Sequence, residues 1–201
     1  MAMMIKRYAI ATVSALFLLL TFLQVTSVKG HCAETVMPSF GDGKISVRLY
    51  TDYFCPPCRQ MEPDIEPLLK ELVRDKIITL TIVDTPFYRY SSLYVRYFLY
   101  AINEKKDLEH ALYVRRSLIE AAKKGLDSAQ KLEVFLKEKK IAFKPFDPKP
   151  VFDSLSRYLK EDGIDATPSC VINSNGKTSK YGGAGNITDA LTALRPKPSA
   201  K

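Results

Sequence analysis

TDYFCPPCRQMEPD, residues 51–64, sets two cysteines three positions apart where a β-branched run gives way to helical spacing. The preceding segment, ISVRLYT (45–51), alternates in a way that predicts a strand. From about Pro56 to Arg74 the spacing predicts a helix, with Ile65, Leu68, Leu69 and Leu72 on one face. IITLTIV (77–83) then fits a short buried strand. Strand, helix and strand in so few residues imply a right-handed crossover onto a parallel pair.

Cysteines at i and i+3 around a helix start can cycle between dithiol and disulfide, hold half of a metal site, or clasp the chain inertly. Cys55 stands at the helix N-terminus, where unpaired N–H groups and the helix dipole favour the thiolate, which is the attacking species. It is expected to be the exposed nucleophile. Cys58, one turn inward, is expected to be shielded and to resolve a mixed disulfide. Pro56 and Pro57 fix two φ angles of the first turn at little cost, but remove donors that could stabilise the thiolate. A zinc site would need two further ligands, and no second Cys pair or His pair appears. The two histidines are His31, beside a presumed cleavage point, and His110, read as a surface residue in a helical pattern.

Four further helical patterns follow: SSLYVRYFLYAINE (91–104), LEHALYVRRSLIEAAKK (108–124), DSAQKLEVFLKEKK (127–140) and PVFDSLSRYLKED (150–162). Gly125 reads as a stop for the second, and Asp127 or Ser128 as the start cap of the third. Strand signals resume at SCVIN (169–173); the turn NSNG (173–176) and KTSKY (177–181) complete an antiparallel hairpin. NITDALTALR (186–195) reads as a closing helix capped by Asn186, and residues 196–201 as a flexible tail.

Two prolines change the weight of the cysteine motif. Pro63 stands inside the predicted helix, where proline costs about 3 kcal/mol unless a kink is wanted. Thr167-Pro168 precedes SCVIN, at a strand start where proline removes a ladder donor. CPPC, Pro63 and ATPSCVINSNGK together resemble the thioredoxin superfamily over roughly residues 45–195. The helical insertion, at about 88–163, resembles the DsbA-like periplasmic thiol:disulfide oxidoreductases. The resemblance implies an α/β fold: a thioredoxin-like mixed sheet with a helical insertion. It also implies Cys55 as nucleophile, Cys58 as resolving thiol and Pro168 as the cis-proline facing them. The backbone of Thr167 would pair with an extended substrate strand. No cofactor or bound metal is implied.

The chain departs from the family in one respect. Many members carry a buried acid on the strand before the motif, where this chain has Leu49. Asp52 is the nearest acid before Cys55, and it reads equally as a proton acceptor or a turn cap. Pro-Pro between the cysteines meets oxidising and reducing patterns halfway, so Pro56 and Pro57 leave the potential open.

The N-terminus bears on location. MAMMIKRY is positive, and residues 9–25 carry no charge. Residues 1–30 therefore read as a signal peptide, cleaved after Gly30 or Ser27, or as an uncleaved anchor. Either places the domain at 31–195 in the periplasm or another extracytoplasmic space, where disulfide chemistry is sensible. Lys6, Arg7 and Lys29 supply three of the eight excess positive charges. The rest lie on amphipathic helices, which favours solvated faces over nucleic-acid binding. Cys170 reads as a buried structural thiol, with a Cys32–Cys170 bridge as the alternative. Tyr88, Tyr90, Tyr94, Tyr97 and Tyr100 read either as packing of the insertion on the sheet or as a groove for apolar substrate segments.

Three functions follow as expectations. The first is an oxidant of unfolded or partly folded exported proteins, reoxidised by a membrane redox partner. The second is a reductase or isomerase fed by a membrane electron donor, for instance in cytochrome c maturation. The third is a non-catalytic module whose thiolates hold Cu(I).

Overall fold

The computed structural model describes residues 37–196. The predicted signal segment 1–30, His31, Cys32 and most of the tail lie outside these residues. Five strands form one mixed sheet: β1 (Ser39–Phe40), β2 (Ile45–Thr51), β3 (Ile78–Asp84), β4 (Ser169–Ser174) and β5 (Lys177–Gly182). Their order is β1-β3-β2-β4-β5. β2 and β3 are parallel, from Ile45 opposite Ile78 to Thr51 opposite Asp84. All other pairs are antiparallel. The fold is thus the expected thioredoxin-like α/β arrangement.

The parallel pair is joined by α1 (Pro56–Arg74). Its apolar face buries Cys58, Met61, Ile65, Leu68, Leu69 and Leu72 against the sheet. β2 is central, with Val47, Leu49 and Tyr50 all inaccessible, because helices cover both of its faces. No strand is expected from the sequence before residue 45, yet β1 lies there. β1 pairs through only Ser39–Thr81 and Phe40–Leu80, too short to show alternation in sequence. Gly43 lets the chain pass close to β3, since a Cβ there would stand 2.2 Å from the Ile78 amide nitrogen.

The insertion comprises α2 (Ser91–Glu104), α3 (Leu108–Lys123), α4 (Ala129–Glu138) and α5 (Lys149–Glu161). Asp107 caps α3 by accepting from the His110 amide, and Ser128 caps α4 by accepting from Lys131. Gly125 turns the chain out of α3 with φ +70°. His110 is half-buried rather than on the surface; its Nε2 lies 3.3 Å from the Ala101 carbonyl. Asn175 and Gly176 both have positive φ, the conformation that suits a tight β4–β5 hairpin. The last helix, α6 (Ala184–Thr192), starts earlier than expected and is not capped by Asn186. Gly183, at φ +82°, occupies the cap position instead, and Asn186 donates to the Gly182 carbonyl. Arg195 clasps α6 to α1 through Glu71 at 2.7 Å.

Candidate active site

The end of β2, the start of α1 and the start of β4 meet at the two cysteines. Cys55 is the residue before α1, in extended conformation, with Pro56 and Pro57 exposed in the first helical turn. The Cys55 amide donates to the Asp52 carbonyl at 3.2 Å, closing the turn that leaves β2. The Cys55 thiol donates to the Thr167 carbonyl at 3.3 Å. The Thr167–Pro168 peptide bond is cis. The Pro168 carbonyl in turn accepts from the Gly183 amide, and Ser169 donates its hydroxyl to the Ala166 carbonyl. These bonds hold the Thr167 segment over the sulfur.

Cys55 is therefore not the exposed residue expected from its place at a helix start: only 2% of it is accessible. The covering segment comes from the far end of the chain, which local sequence cannot reveal. Cys58 is fully buried, and its thiol is pushed up to about 12, first by burial and then by its hydrogen bond to Cys55. The nearby Asp52 amide and Thr167 hydroxyl oppose that rise. At neutral pH Cys58 is a thiol.

Asp52 is also buried, and burial raises its carboxyl above the usual range. One oxygen accepts from the Phe54 amide at 2.7 Å and the other from the Phe87 amide at 3.1 Å. The carboxylate thus fastens the cysteine turn to the loop that follows β3. That loop carries Phe87 and Tyr88, 44% and 45% exposed, so apolar surface rims the cysteines.

The tyrosine run divides by position. Tyr94, Tyr97 and Tyr100 are buried in the packing of the insertion, whereas Tyr88 faces solvent and Tyr90 is half-buried. Tyr94 makes an edge contact with Phe54 at 4.8 Å, so the insertion buttresses the cysteine turn directly. Cys170 is wholly buried in β4, and burial pushes its thiol up to about 12.

Sequence reasoning did not find Arg115. It lies in α3, in a pattern that reads as a solvated amphipathic face, yet only 2% of it is accessible. Its guanidinium donates to Asp84 at 2.6 Å, to Glu62 at 2.8 and 3.0 Å, and to the Tyr53 hydroxyl at 3.1 Å. It also lies 4.8 Å from the Tyr53 ring centroid. Thr51 hydrogen-bonds to Glu62, and Tyr53 donates to Asp84 at 3.1 Å. Burial alone would depress the guanidinium, but Asp84 and Glu62 carry it well above its ordinary value. Burial pushes the Asp84 carboxyl up, and Arg115 pulls it back. The clue available in sequence was indirect: three polar residues, at the ends of β2 and β3 and inside α1, lacking any local partner.

Among the described residues no group of three or more His, Cys, Asp or Glu side chains gathers as a metal site. None of the described helices is long and apolar enough to cross a membrane.

A family profile described as thioredoxin matches residues 41–181. No curated protein matches the sequence. Several solved structures share the fold. A periplasmic thioredoxin-like protein from Salmonella enterica serovar Typhimurium superposes with a TM-score of 0.59 at 21% identity, covering 78% of this chain and 86% of that one. A putative protein-disulfide isomerase from Pseudomonas syringae gives 0.63 at 17%, covering 81% and 99%. The alpha-DsbA1 protein of Wolbachia pipientis gives 0.61 at 17%, covering 78% and 89%.

Proposed function

The chain belongs to the thioredoxin family, with the helical insertion of DsbA-like folds, and on that premise we propose that it is a protein thiol:disulfide oxidoreductase working through Cys55 and Cys58. The observation that carries the reading is the contact between the Cys55 thiol, at the N-terminus of α1, and the Thr167 carbonyl. That carbonyl marks backbone beside the sulfur where an extended substrate can add as a strand.

The direction we assign is oxidation of exported proteins. A substrate thiolate attacks Cys55 Sγ of the Cys55–Cys58 disulfide, forming a mixed disulfide and expelling the Cys58 thiolate. Cys58 takes up a proton at once, because its thiol is held near 12. The substrate's second thiolate then attacks its own mixed-disulfide sulfur and expels Cys55. Two electrons pass from substrate to enzyme, which a membrane partner of quinone-linked or disulfide chemistry returns to the disulfide state. The likeness to a periplasmic protein and the uncharged run at 9–25 support an extracytoplasmic location.

The test is the reduction potential of the Cys55/Cys58 pair in glutathione buffers. An oxidant sits well above thioredoxin's value of about −270 mV. A value at or below that figure reverses the direction, making the protein a reductant fed across the membrane. Loss of all exchange in Cys55→Ser is required in either case.

A further inference from the structure

Nine arginines fall among the described residues, and six of them pair with a carboxylate. Arg59 and Arg89 are two of the three that have no carboxylate partner among the described residues, and both stand at the rim of the cysteine site. The Arg59 guanidinium lies 5.6 Å from the centroid of the Phe54 ring, next in sequence to Cys55. Phe54 lies 6.2 Å from Tyr90, and the Arg89 guanidinium lies 5.2 Å over the Tyr90 ring. The result is a strip of cation, aromatic, aromatic, cation that begins beside the nucleophile.

The strip is built rather than incidental. Arg59 Nε donates to the Tyr53 carbonyl at 2.6 Å, which fixes the guanidinium and leaves both Nη groups without a partner among the described residues. Two carboxylates of this region are already engaged. Asp52 is buried with both oxygens bonded to backbone amides, and Asp127, beside Arg89, pairs with Lys131 at 2.8 Å. A guanidinium held over an aromatic ring offers paired N–H donors above an apolar floor, which suits a carboxylate on an otherwise apolar segment.

We propose that this strip selects protein thiol substrates carrying acidic residues to one side of the reacting cysteine. The inference rests on the oxidoreductase reading and names its substrate class. Orientation on the Thr167 backbone puts one flank of the substrate strand over Phe54 and Tyr90, where its carboxylates meet Arg59 and Arg89.

The experiment uses single-cysteine peptides with three Glu, three Gln or three Lys on the N-terminal or the C-terminal flank. Each rate of exchange with the oxidised protein is divided by that peptide's rate with oxidised glutathione, which removes the effect of flanking charge on the thiol itself. At about 20 mM salt, one of the two Glu peptides should exceed its Gln counterpart about five- to tenfold, and the gap should close at about 0.5 M salt. Arg59→Gln and Arg89→Gln should each shrink the preference, and Arg59→Lys should retain part of it. Equal normalised rates for all charges overturn the proposal, as does a preference that survives the double Gln variant. Salt-sensitive binding to phosphatidylglycerol vesicles in place of a peptide preference would reassign the strip to a lipid surface and overturn it too. A Gln peptide that reacts no faster with the protein than with glutathione sinks the oxidoreductase reading itself; a fast Gln peptide without charge preference sinks only the strip.

Discussion

Arg115 in the helical insertion donates to Asp84 at the end of β3 across 2.6 Å, and both side chains are almost wholly buried. The pair pins the insertion to the sheet directly beneath the cysteine turn, since the same guanidinium reaches Tyr53 and Glu62. Arg115→Met would leave two carboxylates buried without their cation. The expected loss is roughly 3–5 kcal/mol of stability, seen as a lower urea midpoint at pH 7. Adding Asp84→Asn to that variant should recover part of the loss, because the uncompensated charge is then removed. A single variant within about 0.5 kcal/mol of wild type would refute this account.

The two active-site sulfurs should differ sharply toward alkylating agents. Both sulfurs are covered, but the Cys58 thiol is held near 12, so in reduced protein at pH 7–8 iodoacetamide should modify Cys55 well before Cys58. In Cys55→Ser, mass spectrometry of the native protein should show Cys58 unmodified over the time in which free cysteine reacts fully. Comparable labelling of both residues in native protein would contradict the burial described for Cys58.

Cys170 supplies a test of pH dependence. Its folded value of about 12 lies above the unfolded thiol's, so the thiol form favours the fold. Its contribution is fully present below the unfolded value of about 8.5 and is lost as pH rises from there toward 12, by about 1.4 kcal/mol per pH unit. Cys170→Ala removes that dependence. Under excess reductant, the urea midpoint of the wild type should therefore fall more steeply between about pH 9 and 10 than that of the variant. Parallel curves would show that Cys170 does not titrate differently in the two states.

Asp52 can be assigned by separating stability from chemistry. Its oxygens cap the Phe54 and Phe87 amides, so Asp52→Ala should cost about 1–3 kcal/mol by leaving two buried donors unmade. If capping is its whole role, the pH dependence of the exchange rate stays that of the wild type in Asp52→Asn. A displaced pH profile in Asp52→Asn would make Asp52 the proton acceptor instead, whatever the loss of one amide bond does to the urea midpoint.

How far the sequence could be read depended on the range of the forces involved. The CPPC turn, α1 and the Asn175–Gly176 hairpin follow from neighbours a few positions apart, and periodicity or turn chemistry reveals them. Ser128 likewise announces its helix through a local side-chain-to-amide bond. Arg115 was invisible for the opposite reason. An arginine in an amphipathic helix reads as solvated unless its partners are known, and those partners lie in α1, β3 and the turn before α1. The burial of Cys55 was hidden in the same way, since its cover is contributed by Thr167.

The bond from Cys55 to Thr167 joins positions 112 residues apart. A chain emerging from its N-terminus therefore carries both cysteines long before it carries their cover. Closing so long a loop is slow relative to local helix formation, so the dithiol passes through a stage in which it is uncovered. The two cysteines are most open to wrong partners just when their sheet is half-built.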